Sequence, residues 1–182
     1  MLYIYNFTNI ENGLSKLESQ YILSNKPDHS DILIASEKDL NGLSIPETVN
    51  AVVFTDEPSN GRLKELTEKG IVCFKSEEND IIKHAKDFFE CGDIKESYNF
   101  NDLSMGEKTN SRIAFVIKDF LDPITETMDM LSSSEIEVKK IKAVRREENI
   151  SYILAEVNKK DLEPIYFEGE IGKNILKYRV IN

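Results

Sequence analysis

The sequence is short of the residues that most structural and catalytic chemistry calls on. It has no tryptophan, two histidines, two cysteines and five prolines in 182 residues. Cys73 and Cys91 have neither C-x-x-C nor disulfide-framework spacing, so they read as reduced structural thiols of a cytoplasmic protein. Basic residues are in deficit: 23 Lys and Arg against 33 Asp and Glu give a net charge of −10. An acidic chain with pI near 4.8 repels polyphosphate, which argues against a nucleic-acid partner. No apolar run approaches the ~18 residues of a membrane span, and no leader pattern follows Met1, so neither a membrane partner nor secretion is expected. The eight glycines stand at positions 13, 42, 61, 70, 92, 106, 169 and 172, with no G-x-G among them. Dinucleotide cofactors need that glycine turn, because their pyrophosphate approaches the backbone at a helix N-terminus. Ligand sets for a metal are missing as well: His29 and His84 have no convergent partners at metal spacing and read as structural or surface residues.

What is present is a globular composition, 40% hydrophobic and 31% charged. The acidity is uneven. Of the charged residues, 10 basic and 18 acidic fall in the first hundred positions, leaving 13 and 15 after them. The change comes at the polar stretch 99–110, which lacks helical periodicity and suits a linker between two domains, 1–98 and 111–182.

The first part alternates short apolar runs with amphipathic segments. Strands are expected at 1–5, 31–35, 51–55 and 71–74. The runs Asp31–Ala35 and Ala51–Thr55 are nearly continuous apolar, as strands buried on both faces of a parallel sheet are. Helices are expected over 12–19, from Ser59 through Leu63 and Leu66 to a C-cap at Gly70, and over Ile81–Phe89 closed by Gly92. The pattern is α/β and parallel, of flavodoxin-like type. The second part reads strand (Arg112–Ile117), helix capped by Asp122 with Pro123 first, strands Ile136–Arg146 and Ile150–Val157 joined by Glu147-Glu148-Asn149, helix Asp161–Ile171, strand Ile175–Ile181. The order βαββαβ is ferredoxin-like.

Several ordered segments resemble one family. Ser111-Arg112-Ile113-Ala114-Phe115-Val116 with the helix and hairpin after it resembles an ACT domain. The run from Ala85 to Phe100 is similar to the helix and arm that lead into that domain in the D-3-phosphoglycerate dehydrogenase family. Asp31-Ile32-Leu33-Ile34-Ala35-Ser36, Ile45 to Val52, and Glu68 to Phe74 resemble that family's substrate-binding domain in order and spacing. The resemblance implies a homodimer paired through ACT domains, a link to serine metabolism and an amino-acid effector. It also implies what has gone. The family inserts its nucleotide-binding domain, with the catalytic histidine and its carboxylate partner, where this chain has only Lys75 to Asp80. The arginine of its strand end is Ala35 here, and its glycine-rich anion loop is Thr55-Asp56-Glu57-Pro58-Ser59. No catalytic residue and no cofactor is expected, and the chain reads as a non-enzyme.

Positions matching the family's effector ligands are Ile117, Asp119 and Glu137, and its early helix glycine matches Thr125. With Lys118 and Asp122 these form the candidate effector site. Asp119, Asp122 and Glu137 suit an ammonium-bearing ligand or a basic partner surface; the alternative is that they are solvated acids of a decayed pocket. The expected function is regulatory or amino-acid sensing without catalysis. The alternative is an interaction subunit that docks on a full-length dehydrogenase through its ACT sheet. Met128, Met130 and Leu131 read as core. Lys139, Lys140, Lys142, Arg145 and Arg146 split between two strand faces and read as surface solubility, the alternative being pairing with acids on a partner.

Overall fold

A computed structural model describes residues 2–7, 21–76, 83–146, 149–163, 165–167 and 169–182. The expected helix over 12–19, the acidic run 77–80 and the hairpin residues Glu147 and Glu148 lie outside them. The chain divides into two compact units, Met1–Thr67 with Ile71–Lys86 and Glu96–Asn99, and Glu68–Gly70 with Asp87–Lys95 and Phe100–Asn182. No helix among the described residues is long and apolar enough to cross a membrane.

The first unit is built on strands β1 (Leu2–Asn6), β2 (Tyr21–Leu23), β3 (Ile32–Ala35), β4 (Ala51–Phe54) and β5 (Val72–Lys75). They form one parallel sheet in the order β2-β1-β3-β4-β5, with Ile4 beside Ile32, Ile32 beside Ala51 and Ala51 beside Val72. Every residue of β3 and β4 is buried, as their unbroken apolar runs require. Helix α1 (Asn60–Glu68) buries Leu63 and Leu66 against Leu33, Val52 and Phe54. Strand β2 and a 3-10 turn at Pro27–His29 have no counterpart in the sequence reading. Three strand residues give too short a run for alternation to show.

The second unit runs β6 (Arg112–Lys118), α3 (Pro123–Ser133), β7 (Val138–Arg145), β8 (Ile150–Val157), α4 (Gly169–Asn174) and β9 (Ile175–Ile181). Helix α2 (Lys83–Cys91) spans the boundary between the units. The four strands form an antiparallel sheet in the order β7-β8-β6-β9. Antiparallel sheets often leave one face to water, yet all eight residues of β8 are buried. On one face, Ile153, Ala155 and Val157 join the core under α3 with Met130 and Leu131. On the other, Tyr152 meets Phe88 and Phe100 with ring centroids 6.1 and 6.0 Å away. The stretch 99–110 supplies this second cover: Phe100, Leu103 and Met105 are buried.

Two expectations need correction. Helix Asp161–Ile171 is not formed over the described residues 161–163 and 165–167, and α4 begins only at Gly169. The backbone there is engaged elsewhere. Leu162 N–H donates to Asn182 Oδ1 (3.0 Å), Asn182 Nδ2 donates to the Leu162 carbonyl (3.2 Å), and the Ser111 hydroxyl donates to the Lys160 carbonyl (2.7 Å). Tertiary partners outcompete the local helix. Met128 is the second: Met130 and Leu131 are core, but Met128 stands 43% exposed on the outer side of α3.

Candidate functional site

The sheet register decides how the six candidate effector residues are arranged. Ile117 is fully buried in the core under α3 and offers a ligand no polar group. Lys118 ends β6, exposed. Asp119 turns the chain at φ 61°, a left-handed conformation that Asp tolerates, and its N–H donates to the Asn149 carbonyl (3.0 Å). Asp122 caps α3 as its sequence position predicts. Its carboxylate accepts the Ile124 and Thr125 N–H groups (3.2 Å each) and the Thr125 hydroxyl (2.8 Å), while Glu126 accepts Asp122 N–H (3.0 Å). The Thr125 hydroxyl, then the backbone donors, hold the Asp122 carboxyl below its usual range. Asp122 and Thr125 therefore spend their polar atoms on each other.

Glu137 is elsewhere. Lys118 pairs with Ile150, but Val138 pairs with Val157, near the end of the sheet where β6 begins. Eight residues of strand separate the two levels, roughly 25 Å at ~3.3 Å per residue. There the Glu137 carboxylate accepts Asn158 Nδ2 (2.8 Å) and its carbonyl accepts Asn158 N–H (2.8 Å). Within one chain, Lys118, Asp119, Asp122 and Thr125 share one end of the sheet and Glu137 the other.

The strand ends of the first unit carry a carboxylate that sequence reasoning missed. Ligands of open α/β sheets bind outside the carboxyl ends of the strands, where helix N-termini attract anions. Here Glu37, two residues beyond β3, accepts the Ser59 N–H (2.7 Å) and hydroxyl (2.6 Å) just ahead of α1. The Ser59 hydroxyl, then its N–H, keep the Glu37 carboxyl ionised below its ordinary range. Glu37 N–H in turn donates to Asp56 (2.9 Å), and the hydroxyl and N–H of Ser36 hold Asp39 low. The chain thus places its own carboxylate beside the N-terminal end of this helix. Glu37 lies just past a buried strand, with Ser36 between them, but its distance of 22 residues from Ser59 hid the contact.

The densest polar network is in the second unit, on Arg112, which the sequence reading treated only as a strand residue. Its fully buried guanidinium donates Nε to Glu156 (2.9 Å), Nη1 to the Cys91 carbonyl (2.9 Å) and Nη2 to the Gly106 and Glu107 carbonyls (2.8 Å each). Asp93 lies 3.7 Å away and accepts Met105 N–H and the Ser104 hydroxyl. Burial opposes ionisation of Glu156, but hydrogen bonds from Thr109 and Arg112 outweigh it and lower its pKa. With its donors occupied, the guanidinium serves as a clasp that fastens 91–93 and 104–107 to the sheet. Tyr152 does the same from the hydroxyl side: it donates to the Gly92 carbonyl (2.7 Å), and burial pushes its pKa up to about 12.

The basic run divides as its strand spacing implies. Lys140 and Lys142 donate to the Met105 and Ser104 carbonyls (2.7 and 2.6 Å), and Arg145 to the Phe120 carbonyl (2.6 Å). His84 is buried with Nε2 3.6 Å from Glu96. The Cys91 thiol is pushed up by burial and by Asp93, the opposite of what a nucleophile requires. Among the described residues no group of three His, Cys, Asp or Glu side chains is placed to hold a metal ion. A scan against models of known protein families matched none, and a search of curated proteins found no match.

Proposed function

We propose that this protein is a non-catalytic regulatory or amino-acid-sensing protein derived from the phosphoglycerate dehydrogenase family. The observation that carries this is the Glu37 carboxylate on the α1 N-terminus, which meets a phosphorylated hydroxy acid with like charge at the strand ends where such a substrate would bind. The strand order β2-β1-β3-β4-β5 supports a flavodoxin-like first domain. The order β7-β8-β6-β9 with one helix in each crossover supports a ferredoxin-like second domain of ACT type. An amino-acid effector is the natural ligand of such a domain, and the end of the sheet with Lys118 and Asp119 offers groups of both signs for its carboxylate and ammonium.

The test is a thermal-shift panel with the twenty amino acids, 3-phosphoglycerate and NAD. A ligand at about 100 times its Kd stabilises by about 2.7 kcal/mol, which moves the midpoint of a chain this size by roughly 5–10 °C. A shift with one amino acid and none with NAD supports sensing; a shift with NAD, or turnover of 3-phosphoglycerate, defeats the reading.

A second reading, an interaction subunit that docks on a full-length dehydrogenase, is favoured by one observation. Leu121, just before α3, and Ile124 and Met128 on its first half are 91%, 38% and 43% exposed. Apolar side chains grouped in this way mark association surfaces. Co-elution of the purified chain with a full-length phosphoglycerate dehydrogenase tests it.

A further inference from the structure

We propose that the outer edge of β7 is a docking edge for an acidic β-strand of a different protein, and that its charge prevents this chain from pairing there with itself. The proposal rests on the interaction-subunit reading and names the chemistry of the partner. An outermost strand presents a row of backbone N–H and C=O groups that another strand can extend. No further strand pairs with β7 among the described residues. The opposite edge differs: Gly70 brings the chain against β9, and a Cβ there would lie 3.1 Å from the Leu176 and Lys177 side chains.

The composition of the open edge selects its occupant. Val-Lys-Lys-Ile-Lys-Ala-Val-Arg carries four cations and no acid over Val138–Arg145. Lys140 and Lys142 are drawn over one face of the sheet by the Met105 and Ser104 carbonyls, and Arg145 over the other by the Phe120 carbonyl, so both faces of the edge are positive. Two copies of β7 set side by side would face eight cations across one ladder, and like charges directly opposite oppose pairing. A strand that alternates acids with apolar residues carries its acids on one face, and whichever face that is, this edge supplies cations to meet them.

Charge on an edge also serves solubility, and a second observation distinguishes the two roles. Helix α3 packs over β7 and β8, the half of the sheet that ends in this edge. That same helix exposes Ile124 and Met128, one turn apart, with Leu121 in the turn before it. Edge charge by itself gives no reason for these apolar side chains, whereas association does. A basic edge strand and exposed apolar side chains on the helix that packs over it supply charge selectivity and apolar area within one half of the domain.

The experiment uses the full chain and two labelled peptides of roughly nine residues, one alternating glutamate with valine and the other lysine with valine. Fluorescence anisotropy at about 50 and 500 mM salt reads binding, and sedimentation velocity reads self-association. The expected result is preference for the acidic peptide by at least about tenfold, loss of most of that preference at high salt, and a similar loss in the Lys139→Glu, Lys142→Glu double variant. Lys139→Glu alone, at an exposed position, keeps the test intact if the double variant fails to fold. Equal binding of both peptides, binding of neither, or a self-dimer whose amide exchange is protected along β7 overturns the proposal. Co-elution with full-length phosphoglycerate dehydrogenase, run in parallel, separates the two ideas: co-elution without peptide preference leaves the interaction reading standing and removes the acidic edge.

Discussion

Arg112 and Glu156 face each other across β6 and β8 with Nε 2.9 Å from the carboxylate, the arginine wholly out of water. The pair spans 44 residues of sequence, yet it fastens the cover on one side of the sheet. Removing one member of such a pair leaves a buried charge short of its partner. Glu156→Ala is expected to destabilise the chain by about 3 kcal/mol, against no more than about 0.5 kcal/mol for a surface glutamate such as Glu163, read by urea unfolding at pH 7.

The same carboxylate sets an acid dependence. The folded-state pKa of Glu156 is lowered, so its contribution is present above the unfolded value near 4.3 and is lost as pH falls through the folded one. Glu37, Asp39 and Asp122 shift in the same direction and add to the loss. Urea midpoints measured from pH 7 down to about 3 should fall, and should fall less steeply in Glu156→Gln.

Tyr152 has the opposite sign. Its pKa is raised to about 12, so the neutral phenol stabilises the fold below the unfolded value near 10 and that contribution is lost as pH rises. In an ultraviolet titration of the folded chain the Tyr152 phenol should ionise near pH 12, above the ordinary tyrosine range. Tyr152→Phe should abolish that late step and cost about 1–3 kcal/mol, because the Gly92 carbonyl loses its donor.

Gly92 and Gly42 separate backbone strain from crowding. Both have positive φ, at 78° and 74°, but a Cβ on Gly92 would collide with Leu154 Cδ1, whereas one on Gly42 meets nothing within 4 Å. Gly42→Ala should cost about 1 kcal/mol and Gly92→Ala about 2–4 kcal/mol, compared by thermal unfolding.

In the first unit, buried Asn99 ties three segments together. Its Oδ1 accepts Cys73 N–H (2.8 Å), and Nδ2 donates to the Ile71 carbonyl (2.7 Å) and the Thr67 hydroxyl (2.9 Å). Asn99→Ala removes the side-chain bonds to the buried Cys73 N–H and Ile71 carbonyl and should destabilise by about 2–4 kcal/mol, with faster amide exchange at Cys73 as the local sign.

The periodicities of the sequence carry most of the element order. Ile32–Ala35 and Ala51–Phe54 are buried on both faces because unbroken apolar runs have no polar side to turn to water. Asp122 caps α3, and Gly70 and Gly92 take left-handed backbone after helices, because those chemistries act within a few residues. The helix expected over Asp161–Ile171 failed for the complementary reason: its groups bond to Asn182 and Ser111, which no local window includes. Met128 was misassigned because apolar character alone does not say which side of α3 meets the sheet.

By itself, then, the sequence determined the α/β class, the change of pattern from parallel to antiparallel strands and the positions of caps and turns, all set by short-range sterics and hydrophobic periodicity. Tertiary structure alone decided that Glu37 reaches Ser59, that Arg112 is buried with Glu156, and that Glu137 lies at the far end of the sheet from Asp119. Each of these follows from strand register and chain reversal, which bring together residues whose separation along the chain leaves no periodic trace.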